Sequence, residues 1–485
     1  MTGRAEARRR RPMRAHLLLV ALLVATRGAP AARASDDGAA PGIDEGAAPI
    51  EGTTAAEPCT SSTSCAARLG HGNVCVAGRC TEYFDRRDAY GLLGLRTTAA
   101  PTPQRLVPFV AAVPAIGYSP SSGLLLGFAG TMGMLLGEPE DTTISNATGT
   151  LLYTTKNQLI VSVAATAMTA GNEWEILGDW RLLLFNQDTY GLGASSSPLA
   201  TGVSINGWGD LAAIPGAQPM DFDLLRLHQS ALRHVAGSIY LGVGYRFDRY
   251  YGIVDRRLDL SASPPVVTSH FAYSRVQGFD PGAYTLSGLS LEAMSESRDS
   301  TIAPYRGWYA HLRFTGHPTW LGSTQSSTMI SADGRIYVGL SDEDPRNLLA
   351  FWVLGSGVTS GRVPYLALPA SGWDPRSTSG RGYVQGRFRG TAMVYGEAEW
   401  RFRLTADGLL GGTVFASAQT FSRPAVKLPA YGYTEHGEDL FDTIRPAGGL
   451  GLRVMLLKQS RTALRVDIAG GERSIGFYLG AGEAF

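Results

Sequence analysis

Residues 380–383, Gly-Arg-Gly-Tyr, place a permanently charged planar fork between two glycines and beside an aromatic ring. A guanidinium suits carboxylates, which it grips with two parallel N–H groups. The glycines permit a tight turn and a close approach of backbone to a wall, and Tyr383 offers a flat face to pack there. Arg381 is then either an ordinary charge on a surface loop or an inward-folded cation in need of anionic partners. Downstream, Glu397, Glu399, Arg401 and Arg403 recur at every second position. A second chemical cluster, CTSSTSCAARLGHGNVCVAGRC, holds all four cysteines, Cys59, Cys65, Cys75 and Cys80. An even count in an exported chain implies two disulfides with three possible connectivities. Zinc, with His71 nearby, is the alternative, but no Cys-x-x-Cys pair is present and an oxidising compartment favours disulfides, so no metal is assigned. His228, His234, His311 and His317 sit on or beside strand-like segments without a second ligand or nucleophile, which makes packing their expected role. Gly-x-Ser-x-Gly, His-Glu-x-x-His and Gly-x-x-x-x-Gly-Lys are all missing, so the chain reads as no enzyme, with no catalytic residue and no cofactor.

The element that must position these groups declares itself by period. From Ala392 to Leu404 the even positions are Ala392, Val394, Gly396, Ala398, Trp400, Phe402 and Leu404, and the charges fall on the odd ones. Apolar residues on one face and charges on the other, with period two, predict a membrane-spanning β-barrel strand with lipid outside and water inside. The same alternation recurs where Leu464, Val466 and Ile468 interleave with Arg465 and Asp467. Trp174, Trp180, Trp308 and Trp400 fall on the apolar face, where aromatic belts form.

Strand-length segments run from residue 107 to 485, approximately 107–118, 123–136, 143–156, 158–169, 173–186, 221–235, 238–253, 284–296, 307–316, 327–340, 347–360, 390–404, 409–421, 446–458, 462–471 and 474–485. That is an even set of about sixteen. The long connections, about 187–220, 254–283, 361–389 and 422–445, all follow odd-numbered strands, as alternating outer loops and short inner turns require. The fold class expected is therefore all-β, a transmembrane antiparallel barrel with a small disulfide-rich module before it.

The first residues predict export. Arg4, Arg8 to Arg11 and Arg14 precede the apolar run Leu17 to Ala25 and the small-residue site Ala32-Arg33-Ala34, the pattern of a signal peptide cleaved after Ala34. The run is about half of the roughly 20 residues a spanning helix needs. Residues 35–57, rich in Ala, Gly, Pro and acid, read as a disordered linker. The cysteine module (58–81), a second linker (82–106) and the barrel (107–485) follow. With 44% hydrophobic and 18% charged residues, 60 glycines and 20 tyrosines, composition permits a large barrel. A net charge of +1 gives no support to a nucleic-acid partner.

Several segments together resemble the barrel of the BamA/TamA superfamily, the bacterial surface-antigen type of outer-membrane insertase and secretion channel. Gly380-Arg381-Gly382-Tyr383 is similar to that family's Arg-Gly-aromatic loop tip between the eleventh and twelfth strands, and Glu399, in EAEW, to its lumen-facing glutamate. SRDSTIAPYRGWY (297–309), Tyr190-Gly191-Leu192-Gly193, YSPSSGLLLG from Tyr118 and LRVDIAGG from Leu464 support the resemblance. A terminal strand ending in Phe485 resembles the family's carboxyl-terminal assembly signal. One departure stands out. Where the family carries Phe-x-Asp-x-Gly, this chain reads Phe415-Ala416-Ser417-Ala418-Gln419, so Ser417 could accept only a neutral hydrogen bond. Glu397, Glu399 or Asp467 would have to supply the charge for Arg381.

The resemblance implies an outer-membrane barrel of a Gram-negative-type bacterium, its N-terminal module periplasmic, acting in insertion or translocation of proteins or lipids. Its partners would be outer-membrane lipid, the barrel-assembly machinery for its own insertion, and client polypeptides or a periplasmic accessory protein. Interval 35–106 leaves no room for the family's POTRA array. A passive pore gated by the Arg-Gly-Tyr loop and a surface structural or adhesive barrel are the alternatives. Gly476, Gly480 and Gly482 weaken the last strand, which is compatible with a labile seam.

Overall fold

With two short strands (Ser204–Asn206 and Gly209–Asp210) joined to them, sixteen antiparallel strands form one continuous sheet in the computed structural model. They are β1 (Phe109–Ser119), β2 (Gly123–Met134), β3 (Ser145–Thr154), β4 (Leu159–Met168), β5 (Trp174–Thr189), β6 (Gln218–Ala236), β7 (Ile239–Asp255) and β8 (Tyr284–Glu296). The second half comprises β9 (Gly307–His317), β10 (Ser327–Gly339), β11 (Leu348–Gly361), β12 (Ala392–Arg403), β13 (Leu410–Ser422), β14 (Arg445–Leu457), β15 (Thr462–Gly471) and β16 (Ser474–Ala481). The structure describes residues 73–76, 79–82, 89–92, 105–119, 123–138, 141–195, 204–206, 209–210, 217–341, 344–405, 408–457 and 461–485. The expected signal peptide, all of the first expected linker, most of the second, Cys59 and Cys65 lie outside the described residues. Cys75 and Cys80 face each other in the register of a short hairpin, Asn73–Val76 with Arg79–Glu82.

Each strand pairs with the next in sequence, and in sheet order β16 stands beside β1. β5 pairs with β6 from Gln218 opposite Thr189 to Arg233 opposite Trp174, although a long connection separates them in sequence. The long connections all follow odd-numbered strands, so they gather at one end of the barrel and the short turns at the other. The expected strand segments agree with the observed ones within a few residues, except at β16. There the expected segment ran to residue 485, whereas the strand stops at Ala481 and Gly482 turns the chain with a φ of 79°.

Alternation places the faces as expected. In β12, Met393, Tyr395, Glu397, Glu399 and Arg401 are buried while Ala398 and Trp400 are exposed. Trp174, Trp180 and Trp308 are exposed as well, within an apolar outer surface that includes Leu227, Val243, Leu312, Phe351 and Leu450. So much exposed apolar surface suits hydrocarbon and not water. Leu291, near the middle of β8, is 66% exposed. Leu291→Arg should cost roughly 2–4 kcal/mol in equilibrium refolding into lipid vesicles. An unchanged unfolding midpoint would place that residue away from lipid.

Strands β5, β6 and β7 have 16, 19 and 17 residues, more than the roughly 9–11 that cross a bilayer. Their surplus projects at the long-loop end and carries a second core: Met220, Phe222, Leu224, Tyr250 and Ile253 pack with Tyr365, Leu366 and Leu368. Helix α1 (Ser269–Gln277) completes this cap. Thr268 caps it by accepting from Phe271 N, and Gly278 ends it in the left-handed conformation. The Tyr273 hydroxyl donates to Val363 O at 2.9 Å, which pins the start of the β11–β12 connection beneath the cap.

Candidate functional site in the barrel lumen

The β11–β12 connection, residues 362–391, descends from the cap into the lumen. Its shape is set locally. Arg389 Nη1 donates to the carbonyls of Tyr365, Leu366 and Leu368 and closes the base of the loop. Further along, the Asp374 carboxylate accepts from Arg376 N at 3.1 Å, an Asx-type turn, and also from Thr378 N at 3.1 Å and Ser379 N at 2.8 Å. Gly380 and Gly382 then take φ values of 76° and 101°, which side-chain-bearing residues rarely adopt. At Gly382 a Cβ would also meet Ala447 Cβ at 2.9 Å and the Gly470 carbonyl carbon at 3.0 Å.

This geometry delivers Arg381 to the wall at 1% exposure. Its Nη1 donates to Asp467 Oδ2 at 2.6 Å. Its Nη2 binds both Glu397 Oε1 and Glu399 Oε1, and its guanidinium carbon lies 3.6 Å from the centroid of the Phe415 ring. Each carboxylate is shared onward. Tyr395 donates to Glu397, Arg401 Nε to Glu399 at 2.7 Å and Arg453 Nη1 to Asp467 at 2.6 Å. Glu483 pairs with Arg453 at 2.8 Å, and Arg465 stands 3.6 Å from Asp467. Four guanidiniums (381, 401, 453, 465) therefore face four carboxylates (397, 399, 467, 483), so the network is formally neutral and the desolvation of each ion is offset by its partners.

Of the carboxylates offered as substitutes for the missing aspartate, Glu397, Glu399 and Asp467 all bind Arg381 together. Ser417, opposite Glu397 in the β12–β13 register, is buried on the same face but donates or accepts nothing at the guanidinium among the described residues. Its short hydroxyl is outcompeted by three charged acceptors. Tyr383 behaves as its chemistry suggests: the ring lies against Gly471, where a Cβ would meet it at 2.4 Å, and the hydroxyl donates to Pro446 O and accepts from Glu472 N.

Two contributors, Phe415 as a ring under Arg381 and Tyr478, escaped the sequence reading, and a third, Phe485, stands elsewhere than expected. Phe415, the platform under Arg381, stands directly opposite Glu399 in register, so its parity was a usable signal. Tyr478 of β16 binds the loop backbone, accepting from Gly382 N at 2.7 Å and donating to Tyr383 O at 3.1 Å. Phe485, read as the end of a strand, instead turns into the lumen with no exposed surface, because Gly482 breaks the strand and an aromatic wall receives the ring. The four histidines are structural in placement. His228 meets Asp248, His311 meets Glu292, His317 meets Ser327 and His234 meets a turn carbonyl.

A membrane-type barrel whose lumen is filled by its own loop, held on a neutral charge network, is thus the class of protein that fold and site define. The Omp85 superfamily domain matches residues 233–485, more than half of the chain. The chain belongs to the Omp85 superfamily and is an outer-membrane β-barrel of that type. Among solved structures, the crystal structure of BamA from Haemophilus ducreyi lacking POTRA domains 1–3 is similar at 14% identity with a TM-score of 0.44, over 75% of this chain. The match spans 66% of that structure's chain. No curated protein matches the chain.

Proposed function

We propose that this barrel inserts or translocates polypeptides, or lipids, at the outer membrane, using the junction of β16 and β1 as a template edge. One observation carries the reading: the outer end of β16, Ser474–Gly476, accepts a short parallel strand, Ser204–Asn206, from the β5–β6 connection. An edge that takes an added strand is what templating an incoming strand requires. Only 8 residues form β16, against 11 in β1, which keeps the junction short. A permanently open pore is less well supported, since the docked loop and its ion network occupy the lumen. The cysteine module would then lie in the periplasm and either contact clients itself or receive an accessory protein.

The experiment is reconstitution of the purified chain in liposomes, followed by timing the folding of a test barrel protein. Faster folding than in empty liposomes is expected, and equal rates would rule out insertase action. Planar bilayers separate the pore alternative: a low, mostly closed baseline is expected, whereas steady, sizeable conductance of the native chain would favour a passive channel.

A further inference from the structure

Beyond Gly482 the chain leaves the barrel wall and turns into the lumen. Glu483 pairs with Arg453 of β14. The Ala484 carbonyl accepts from Thr378 Oγ1 of the lumen loop at 2.8 Å. The Phe485 ring stacks on Trp352 of β11, centroids 5.2 Å apart and planes 29° from parallel, with Tyr337 of β10 at 6.2 Å. Arg401 of β12 sets its guanidinium 5.0 Å from the same ring and donates through Nη2 to Phe485 O at 3.2 Å.

The slot is itself held in place. Trp352 donates its indole N–H to Asp333 at 2.9 Å and meets Tyr395 edge-on at 5.1 Å. Strands β10 to β12 are not neighbours of β16 in the sheet, so the tail bridges distant parts of the wall. Glu483 also forms one side of a small pocket at the short-turn end, lined by Arg346, Arg401, Thr413 and Arg453. Withdrawal of the tail would extend that pocket into the lumen.

We propose that Tyr337, Trp352 and Arg401 form a binding slot for an aromatic side chain, occupied in the resting barrel by Phe485. The tripeptide Glu483–Phe485 is then a displaceable lock that fastens β16 to the lumen loop and shuts the short-turn end. A planar ring between an indole and a guanidinium is a recognition arrangement of stacking plus cation–π attraction. The Arg401 hydrogen bond to the Phe485 backbone oxygen fixes that residue's backbone beside the slot. The lock holds whatever the barrel transports, so it stands apart from the insertase reading.

Two measurements on the refolded full chain test it. First, Ala484→Cys in detergent micelles should react with a water-soluble maleimide at least tenfold more slowly than Arg473→Cys in the exposed β15–β16 turn, over the background of the parent chain. Adding Trp352→Ala should restore rapid labelling. Labelling of Ala484→Cys as fast as the turn control would overturn the lock. Second, deletion of residues 483–485 should raise bilayer conductance severalfold, and the free peptide Gly-Glu-Ala-Phe should reverse the rise while Gly-Glu-Ala-Ala does not. Unchanged conductance, or equal action of both peptides, overturns the slot. Should the truncated chain fail to refold, the labelling pair, in which the chain keeps its full length and Phe485, decides alone.

Discussion

Arg381→Ala is expected to free the 362–391 loop from the lumen and to lower barrel stability by about 3–5 kcal/mol. The size follows from what would remain. Glu397, Glu399 and Asp467 are buried around the guanidinium, and without it these three carboxylates and Glu483 would share only Arg401, Arg453 and Arg465, one cation too few. Unpaired buried charge costs far more than the intact pair contributes. The Phe415 ring would also lose the cation on its face. Denaturant unfolding in micelles reads the stability, and limited proteolysis within 362–391 reads the loop. Arg381→Lys should recover only part of the loss, because a single ammonium cannot serve three acceptors in the planar fork geometry. A wild-type midpoint together with a protease-resistant loop in Arg381→Ala would show that the network does not hold the loop.

Gly382→Val should be nearly as damaging, by a steric route. The residue sits at a φ of 101°, where a β-branched side chain is strained by roughly 1–3 kcal/mol. A Cβ there also collides with Ala447 and with the Gly470 backbone, adding overpacking of a further ~1–3 kcal/mol. Tyr478 holds the Gly382 amide and the Tyr383 carbonyl, so a displaced tip also loses its tie to β16. The expected result is a loop open to protease with Arg381 still present, which separates backbone shape from charge. Gly382→Val with an intact, protease-resistant loop would mean that the wall yields at this point and that glycine is not required.

The strand inventory was legible because each strand has one face in lipid and one on the lumen, and period two survives even where single residues are ambiguous. Leu464 to Ile468 and Ala392 to Leu404 show it without any tertiary information. Parity of the long connections added a check independent of side-chain pattern. The carboxylates around Arg381 were legible in part, since parity puts Glu397, Glu399 and Asp467 on the wet face, but parity does not say which of them meet. That depends on register: Glu399 lies opposite Phe415 and Ala350, and Asp467 approaches from β15, more than sixty residues along the chain.

The amino-acid sequence by itself determined the class of fold, the strand order, the wet and lipid faces and the loop that carries Arg381, because these follow from local periodicity and from turn and loop lengths. Only the tertiary structure decided that three carboxylates share one guanidinium, that Tyr478 ties the loop to the last strand, and that Phe485 leaves that strand for an aromatic slot inside the lumen. Those contacts join residues far apart in sequence at distances of a few ångströms. They are set by barrel closure and strand register, which no run of neighbouring residues encodes.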